Sequence, residues 1–174
     1  MNRGERYENI IKQYSEPLYW HIRRLVVCHE DAQDLLQDTL SSVFLNLWQI
    51  RDPAKTKAWL YAVATNKANR FLKKKARELR CEDISEHLCD MIESSAFVDY
   101  EKAAAIDLHK AVLKLPKAQQ LVFNLKFFDE MEYEEISRIT GSSIDSLRVN
   151  YHIAKKKVTK YIHEEQHHSL LQQQ

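Results

Sequence analysis

A chain of 174 residues can hold one domain or two small ones, and its 44% hydrophobic and 29% charged content is that of an ordinary soluble protein. Two glycines and three prolines leave little turn chemistry, which excludes a strand-rich fold and favours an all-α one. With 26 Lys and Arg against 25 Asp and Glu, the formal charge is +1, too small for a protein that coats nucleic acid without sequence preference.

Residues 5 to 27 read as one or two helices: Tyr7, Ile10, Ile11 and Tyr14 make an apolar face, and Pro17 restarts the chain before Leu18, Ile22, Leu25 and Val26. His29 to Gln49 reads as one long amphipathic helix with Ala32, Leu35, Leu36, Thr39, Leu40, Val43, Phe44 and Leu47 inward. Its first half carries Glu30, Asp31, Asp34 and Asp38, which suits a helix N-terminus and equally offers a docking face to a basic partner. Ile50 to Lys55 breaks the pattern at Asp52-Pro53, and Thr56 is expected to cap the next helix.

That helix places Trp59, Leu60, Val63 and Leu72 towards a core and then turns basic. From Asn66 to Arg80 seven basic residues face one acid, Glu78. A charge run of this kind usually marks a solvated face. Here it follows Trp59 and Tyr61, and positive charge for phosphates beside rings for stacking is what a single nucleic-acid strand requires.

The sign then reverses. Residues 81–101 carry Glu82, Asp83, Glu86, Asp90, Glu93, Asp99 and Glu101 and no Lys or Arg, so they read as an acidic linker between two domains. The second domain opens with a helix whose apolar face is Ala105, Leu108, Val112 and Leu115, and Pro116 suits the first turn of the helix after it. In that helix Leu121, Val122, Leu125 and Phe128 point inward.

Tyr133 to Val158 then reads as helix, tight turn, helix. Tyr133, Ile136 and Ile139 share a face, Gly141 supplies the positive φ that ends the first helix, and Ser143 is placed to cap the second. The second helix buries Leu147, Tyr151, Ala154 and Val158 and shows Arg148, Asn150, His152, Lys155 and Lys156 on its other side. This is a helix-turn-helix pattern, although an ordinary helical hairpin with a solvated basic face has the same outline. The end, residues 164–174, reads as a polar, frayed tail, and its histidines are assigned no metal.

No apolar run reaches membrane-spanning length, and the first ten residues lack the hydrophobic stretch of a signal peptide. Cys28, Cys81 and Cys89 form no CxxC pair and suggest reduced thiols in a cytoplasmic protein. With no phosphate-cradling glycine loop or serine elbow, neither catalysis nor a cofactor is expected.

Taken in order, the halves resemble one family. DAQDLLQDTLSSVFLNLW, a break, and KAWLYAVATNKANRFLKKKAR resemble region 2 of bacterial sigma factors, and the run from Ala111-Val112 through Leu115-Pro116 to Tyr133–Gly141 resembles region 4. With only a short linker between, the layout is similar to the extracytoplasmic-function (ECF) group of sigma-70-type factors. The resemblance implies an all-α protein of two small domains, residues 1–80 and 102–163, that joins core RNA polymerase and directs it to promoters.

It also implies roles. Asp34, Leu35, Gln37 and Asp38 match the motif that docks on the β′ clamp helices, and region 4 would meet the β flap. Trp59, Tyr61, Asn66, Asn69, Arg70 and Lys73 fall against the −10 element, and the loop from Ile50 to Thr56 matches the place where a flipped base is captured. The second helix of region 4 would enter the −35 major groove. There Arg148 is suited to guanine, Asn150 to adenine, and Val149 or His152 to a base edge. Lys155 and Lys156 suit phosphates, and Ser143 and Ser146 lie in the first turn. Promoter DNA and an anti-sigma factor are the further partners implied, with a monomer when free and no membrane insertion. The alternative is a helix-turn-helix regulator that binds DNA without polymerase, which would need a dimer interface that no heptad seam supplies.

Overall fold

In the computed structural model, which describes residues 2–94 and 103–172, the regular elements are all helices and the chain divides into two compact units, Met1–Ile84 with Arg138–Gly141 and Ser85–Ser137 with Ser142–Gln174. α1, Arg3–Val26, is opened by a capping box: Asn2 Oδ1 accepts from the Glu5 N–H at 2.8 Å, and the Glu5 carboxylate accepts from the Asn2 N–H at 2.9 Å. It runs unbroken through Pro17, which stands on its exposed side, so the restart expected there does not occur. α2, His29–Asn46, continues into a 3-10 turn at Leu47–Gln49.

A second 3-10 turn, Pro53–Lys55, is capped by Asp52, whose Oδ1 accepts from the Ala54 N–H at 3.0 Å. It leads directly into α3, Thr56–Glu78. Thr56 is therefore a buried first residue of α3 and makes no cap. α3 ends without glycine: Arg80 takes φ 55, with Cys81 N–H bonded to Ala76 O at 3.0 Å and Arg80 N–H to Arg77 O at 3.2 Å, the pattern of a left-handed helix stop.

α1, α2 and α3 pack on one another as a three-helix unit. Leu18, Ile22, Leu25 and Val26 of α1 meet Ala32 and Val43 of α2 and Leu60, Ala64, Ala68 and Leu72 of α3 in its buried core. Each large apolar side chain so buried contributes about 1.5–3 kcal/mol.

The second unit begins where a linker was expected. Ser85–Ser94 is a helix, α4, with Leu88, Cys89 and Ile92 buried and Glu86 and Asp90 exposed, and it packs against α5, Ala103–Leu113. Buried residues at i, i+1 and i+4 make one helical face, so this part of the acidic stretch is no open tether. The remainder of residues 81–101 from 95 on lies outside the described residues.

Pro116 precedes α6, Lys117–Phe123, which widens into a π turn over Asn124–Phe128. α7, Tyr133–Thr140, and α8, Ile144–Gln172, follow. The core of the second unit joins Ala111, Val112, Leu115 and Phe123 to Ala154 and Val158, with Leu108, Phe128, Tyr151, Tyr161 and Ile162 packed around them. α8 is continuous helix to Gln172, so the tail expected to fray is helical there. No Gly or Pro follows Gly141, and Lys160 pairs with Glu164 one turn on at 3.8 Å.

Candidate nucleic-acid interface

The basic half of α3 is sorted by its contacts with α2. Lys67 Nζ lies 2.7 Å from Asp38 Oδ2 and Lys75 Nζ 3.1 Å from Asp31 Oδ2, so two of the seven cations are spent inside the unit. Asn66, Arg70, Lys73 and Arg77 remain exposed, and their spacing of four, three and four residues puts them on one stripe of the helix. Half-buried Trp59 and Val63 begin the same stripe two turns and one turn earlier. An apolar ring thus leads into a row of cations along a single face. Arg77 belongs to this set although the sequence expectation omitted it; counting i+3 and i+7 steps from Arg70 finds Lys73 and Arg77.

Tyr61 does not belong. It is 2% exposed, and its ring lies 5.0 Å from the ring of buried His21, whose Nε2 is 2.8 Å from Thr65 Oγ1. Two residues along a helix turn the side chain by about 200°, so Trp59 and Tyr61 cannot share a face. Burial of Trp59 and Tyr61 therefore differs for a geometric reason, and Tyr61 is core. Asn69 is half-buried on the flank of the stripe. In the loop before α3, Arg51 to Lys55 are exposed between buried Ile50 and Thr56, and the Arg6 guanidinium donates to Ile50 O.

On α2, Asp34, Gln37 and Asp38 are exposed, while Leu35 is half-buried and supports the helix from beneath. The same face continues through Ser41 to Leu45, 65% exposed, and Trp48, 69% exposed, with Phe44 at 40% beside them. Phe44 is held by Tyr7, ring to ring at 5.0 Å, and by the Arg3 guanidinium over its face. The sequence pattern placed Phe44 in the core and left Leu45 and Trp48 without a role. Their position at eleven and fourteen residues from Asp34 is the signal that joins them to the acidic patch.

The helix-turn-helix forms as its sequence dictates. Gly141 takes φ 74, Ser137 Oγ donates to Ser142 O at 2.7 Å, and Ser143 caps α8 by accepting the Ser146 N–H at 3.2 Å. That N–H is consequently not open to a phosphate. Arg148, Val149, His152, Lys155 and Lys156 form one exposed face of α8, with Ser143 and Ser146 exposed at its start. Asn150 stands about 200° around the helix from Arg148 and is half-buried, with its Nδ2 3.4 Å from Ser146 Oγ. It flanks the exposed face and does not share it. Lys157 donates to Gln119 Oε1 at 3.0 Å, so it braces α6.

Behind the face lies an aromatic cluster. Tyr133 meets Tyr151 edge to face at 6.5 Å, and Tyr151 lies 6.0 Å from Phe123. Burial, with Tyr133 adding to it and Lys126 opposing, pushes the Tyr151 phenol above its ordinary pKa.

Farther along α8, His163 and His167 stand four apart with Glu164 between them, an HExxH spacing that counting along the chain reveals. Glu164 pairs with Lys160, and no group of three or more His, Cys, Asp or Glu suited to a metal forms among the described residues. The spacing alone makes no zinc site. No helix among the described residues is long and apolar enough to cross a membrane.

Residues 10–78 match the family described as Sigma-70 region 2, and residues 105–158 match Sigma-70, region 4. RNA polymerase sigma factor YlaC of Bacillus subtilis is 30% identical over 176 residues, covering 95% of this chain and 99% of that one. ECF RNA polymerase sigma factor SigW of the same organism is 25% identical over 167 residues, covering 90% and 88%. The sigma factor RpoE, solved in complex with the anti-sigma factor NepR from Bartonella quintana, shares the fold with a TM-score of 0.71 at 20% identity, over 91% of this chain and 97% of that one.

Proposed function

The chain belongs to the sigma-70 family, in its extracytoplasmic-function group, and we propose a division of its exposed faces among the partners of that work. It is an alternative sigma factor that directs RNA polymerase to promoters, and it is not an enzyme. The observation that carries the assignment of faces is the segregation of exposed charge among the helices of the two matched regions. α2 shows acids and apolar residues, whereas α3 and α8 show cations.

In this reading Asp34, Gln37 and Asp38 of α2 dock on the β′ clamp helices, with Phe44, Leu45 and Trp48 supplying apolar area beside them. An exposed apolar group rimmed by charge is the usual mark of a protein interface. Trp59, Asn66, Arg70, Lys73 and Arg77 track the −10 strand, where a ring offsets the cost of unstacking and cations meet phosphates. Asn69 is placed at the edge of that track.

The second unit lays α8 in the −35 major groove and meets the β flap. Arg148 reads guanine O6 and N7, Val149 and His152 touch neighbouring base edges, and Lys155 and Lys156 fix position on phosphates. Asn150, from its flank, reaches at most the groove wall. Before initiation an anti-sigma factor covers these faces. The working compartment is the cytoplasm, with the free protein a monomer.

The test is abortive transcription by core polymerase on promoters drawn from a library randomised at −35 and −10, with and without this chain. Selective initiation that needs both components is the expected outcome. Binding of duplex DNA by the chain alone, with core polymerase left inert, would overturn the reading in favour of an independent regulator.

A further inference from the structure

Tyr133 opens α7 and presents a half-buried ring to three neighbours. Lys126 Nζ lies 5.0 Å from its centroid, Arg148 Cζ 5.7 Å from it, and the Tyr151 ring 6.5 Å away edge-on. Lys126 is itself anchored, 3.4 Å from the Glu132 carboxylate. The Arg148 guanidinium has one more partner, Asp145 Oδ1 at 3.6 Å, and its side chain remains 61% exposed. A planar cation thus has a ring against it and a carboxylate near it, while most of its surface is free to face outward.

We propose that Tyr133 is a specificity-determining residue that holds Arg148 in position for base readout, with Asp145 as a second brace. The proposal rests on the reading of α8 as the −35 helix. A guanidinium within about 6 Å of a ring centroid is attracted by the ring's quadrupole. Arginine reads guanine through two parallel N–H bonds, which demand a set orientation of the fork. An arginine already oriented loses less side-chain freedom on binding, so its selectivity rises. A phosphate contact has no such demand, because a phosphate accepts from many directions and carries no sequence information. Tyr133 touches none of the bases in this scheme. It acts through Arg148.

The experiment uses the full chain with core polymerase and reads base preference at each −35 position. Arg148→Ala identifies the position that Arg148 reads. Tyr133→Leu should lower preference at that same position by about tenfold, as expected from loss of a bidentate contact, and leave the other positions within about twofold. Tyr133→Phe keeps the ring and should keep the preference. Asp145→Asn, at a site whose side chain is 94% exposed and outside the core, should lower preference at the Arg148 position alone by a smaller factor. It serves in place of Tyr133→Leu should that variant fail to fold.

The proposal is overturned if Arg148→Ala erases no single position, if Tyr133→Leu and Asp145→Asn both keep the wild-type preference, or if either lowers all positions evenly. A wild-type chain that selects no −35 sequence defeats instead the reading on which the proposal stands.

Discussion

Lys67 on α3 donates to Asp38 on α2 at 2.7 Å, so an ion pair that ties the helix assigned to DNA to the helix assigned to polymerase includes a residue of the proposed docking face. The Asp38 side chain is 61% exposed and keeps lone pairs for a partner. Exposed pairs are worth about 0.2–1 kcal/mol, so this one tunes the geometry of both faces more than it stabilises the unit. In a double-mutant cycle of Asp38→Asn and Lys67→Gln, thermal unfolding should give a coupling within that range. A coupling several times larger would mean the pair is a main support of the unit.

Asp34 is exposed on the same α2 stripe as Leu45, and Trp48 follows in the 3-10 turn that continues the helix. Asp34→Arg and Trp48→Ala should each weaken binding to core polymerase by tenfold or more, roughly the effect of a loss above 1 kcal/mol at an interface anchor. Both should leave the unfolding midpoint within a few degrees. Equilibrium binding to core polymerase, measured beside a melting curve, separates the two effects.

Trp59 and Tyr61 should behave in opposite ways. Tyr61→Ala empties a fully buried site and should cost about 3–5 kcal/mol of stability. Trp59→Ala should cost less stability and about 1–3 kcal/mol of strand binding. Urea unfolding and binding of a −10 single strand by the assembled holoenzyme check both. Equal losses of stability in the two variants would contradict the opposed faces of α3.

Arg77→Gln should lower strand binding by the holoenzyme uniformly across sequences. It should also reduce the slope of log affinity against log salt by about 0.7, the share of one single-strand phosphate. Lys75→Gln, which instead loses the ion pair to Asp31, should leave that slope unchanged. A salt titration of both variants decides.

Leu88→Ala and Ile92→Ala should each destabilise the second unit by about 2–5 kcal/mol, because both side chains are buried in α4. In an open tether neither change would register. Denaturation of the full chain followed by a probe in the second unit gives the answer.

Much of this protein is legible in one dimension. A period of 3.6 residues with almost no glycine marks helices, and Gly141 followed by Ser143 fixes the turn and cap of the helix-turn-helix by backbone rules that act within a few residues. The buried stripe of α8 and the exposed row Arg148, His152, Lys155 and Lys156 follow from the same period, since a helix has only one face to give a core.

Other features needed the packed structure. α3 has apolar groups on both of its sides near Trp59 and Tyr61, and periodicity cannot say which side the other two helices cover. Packing covers Tyr61. Charge patterning cannot tell a cation that faces solvent from one that reaches across to an acid, and only the approach of α2 to α3 removes Lys67 and Lys75 from the free set. Acidic composition hid α4, because Leu88, Cys89 and Ile92 become a buried face only when α5 is there to receive them. Local sequence sets the helix and its period; the neighbour that covers each face belongs to long-range packing, and that decides which side chains are left to meet a partner.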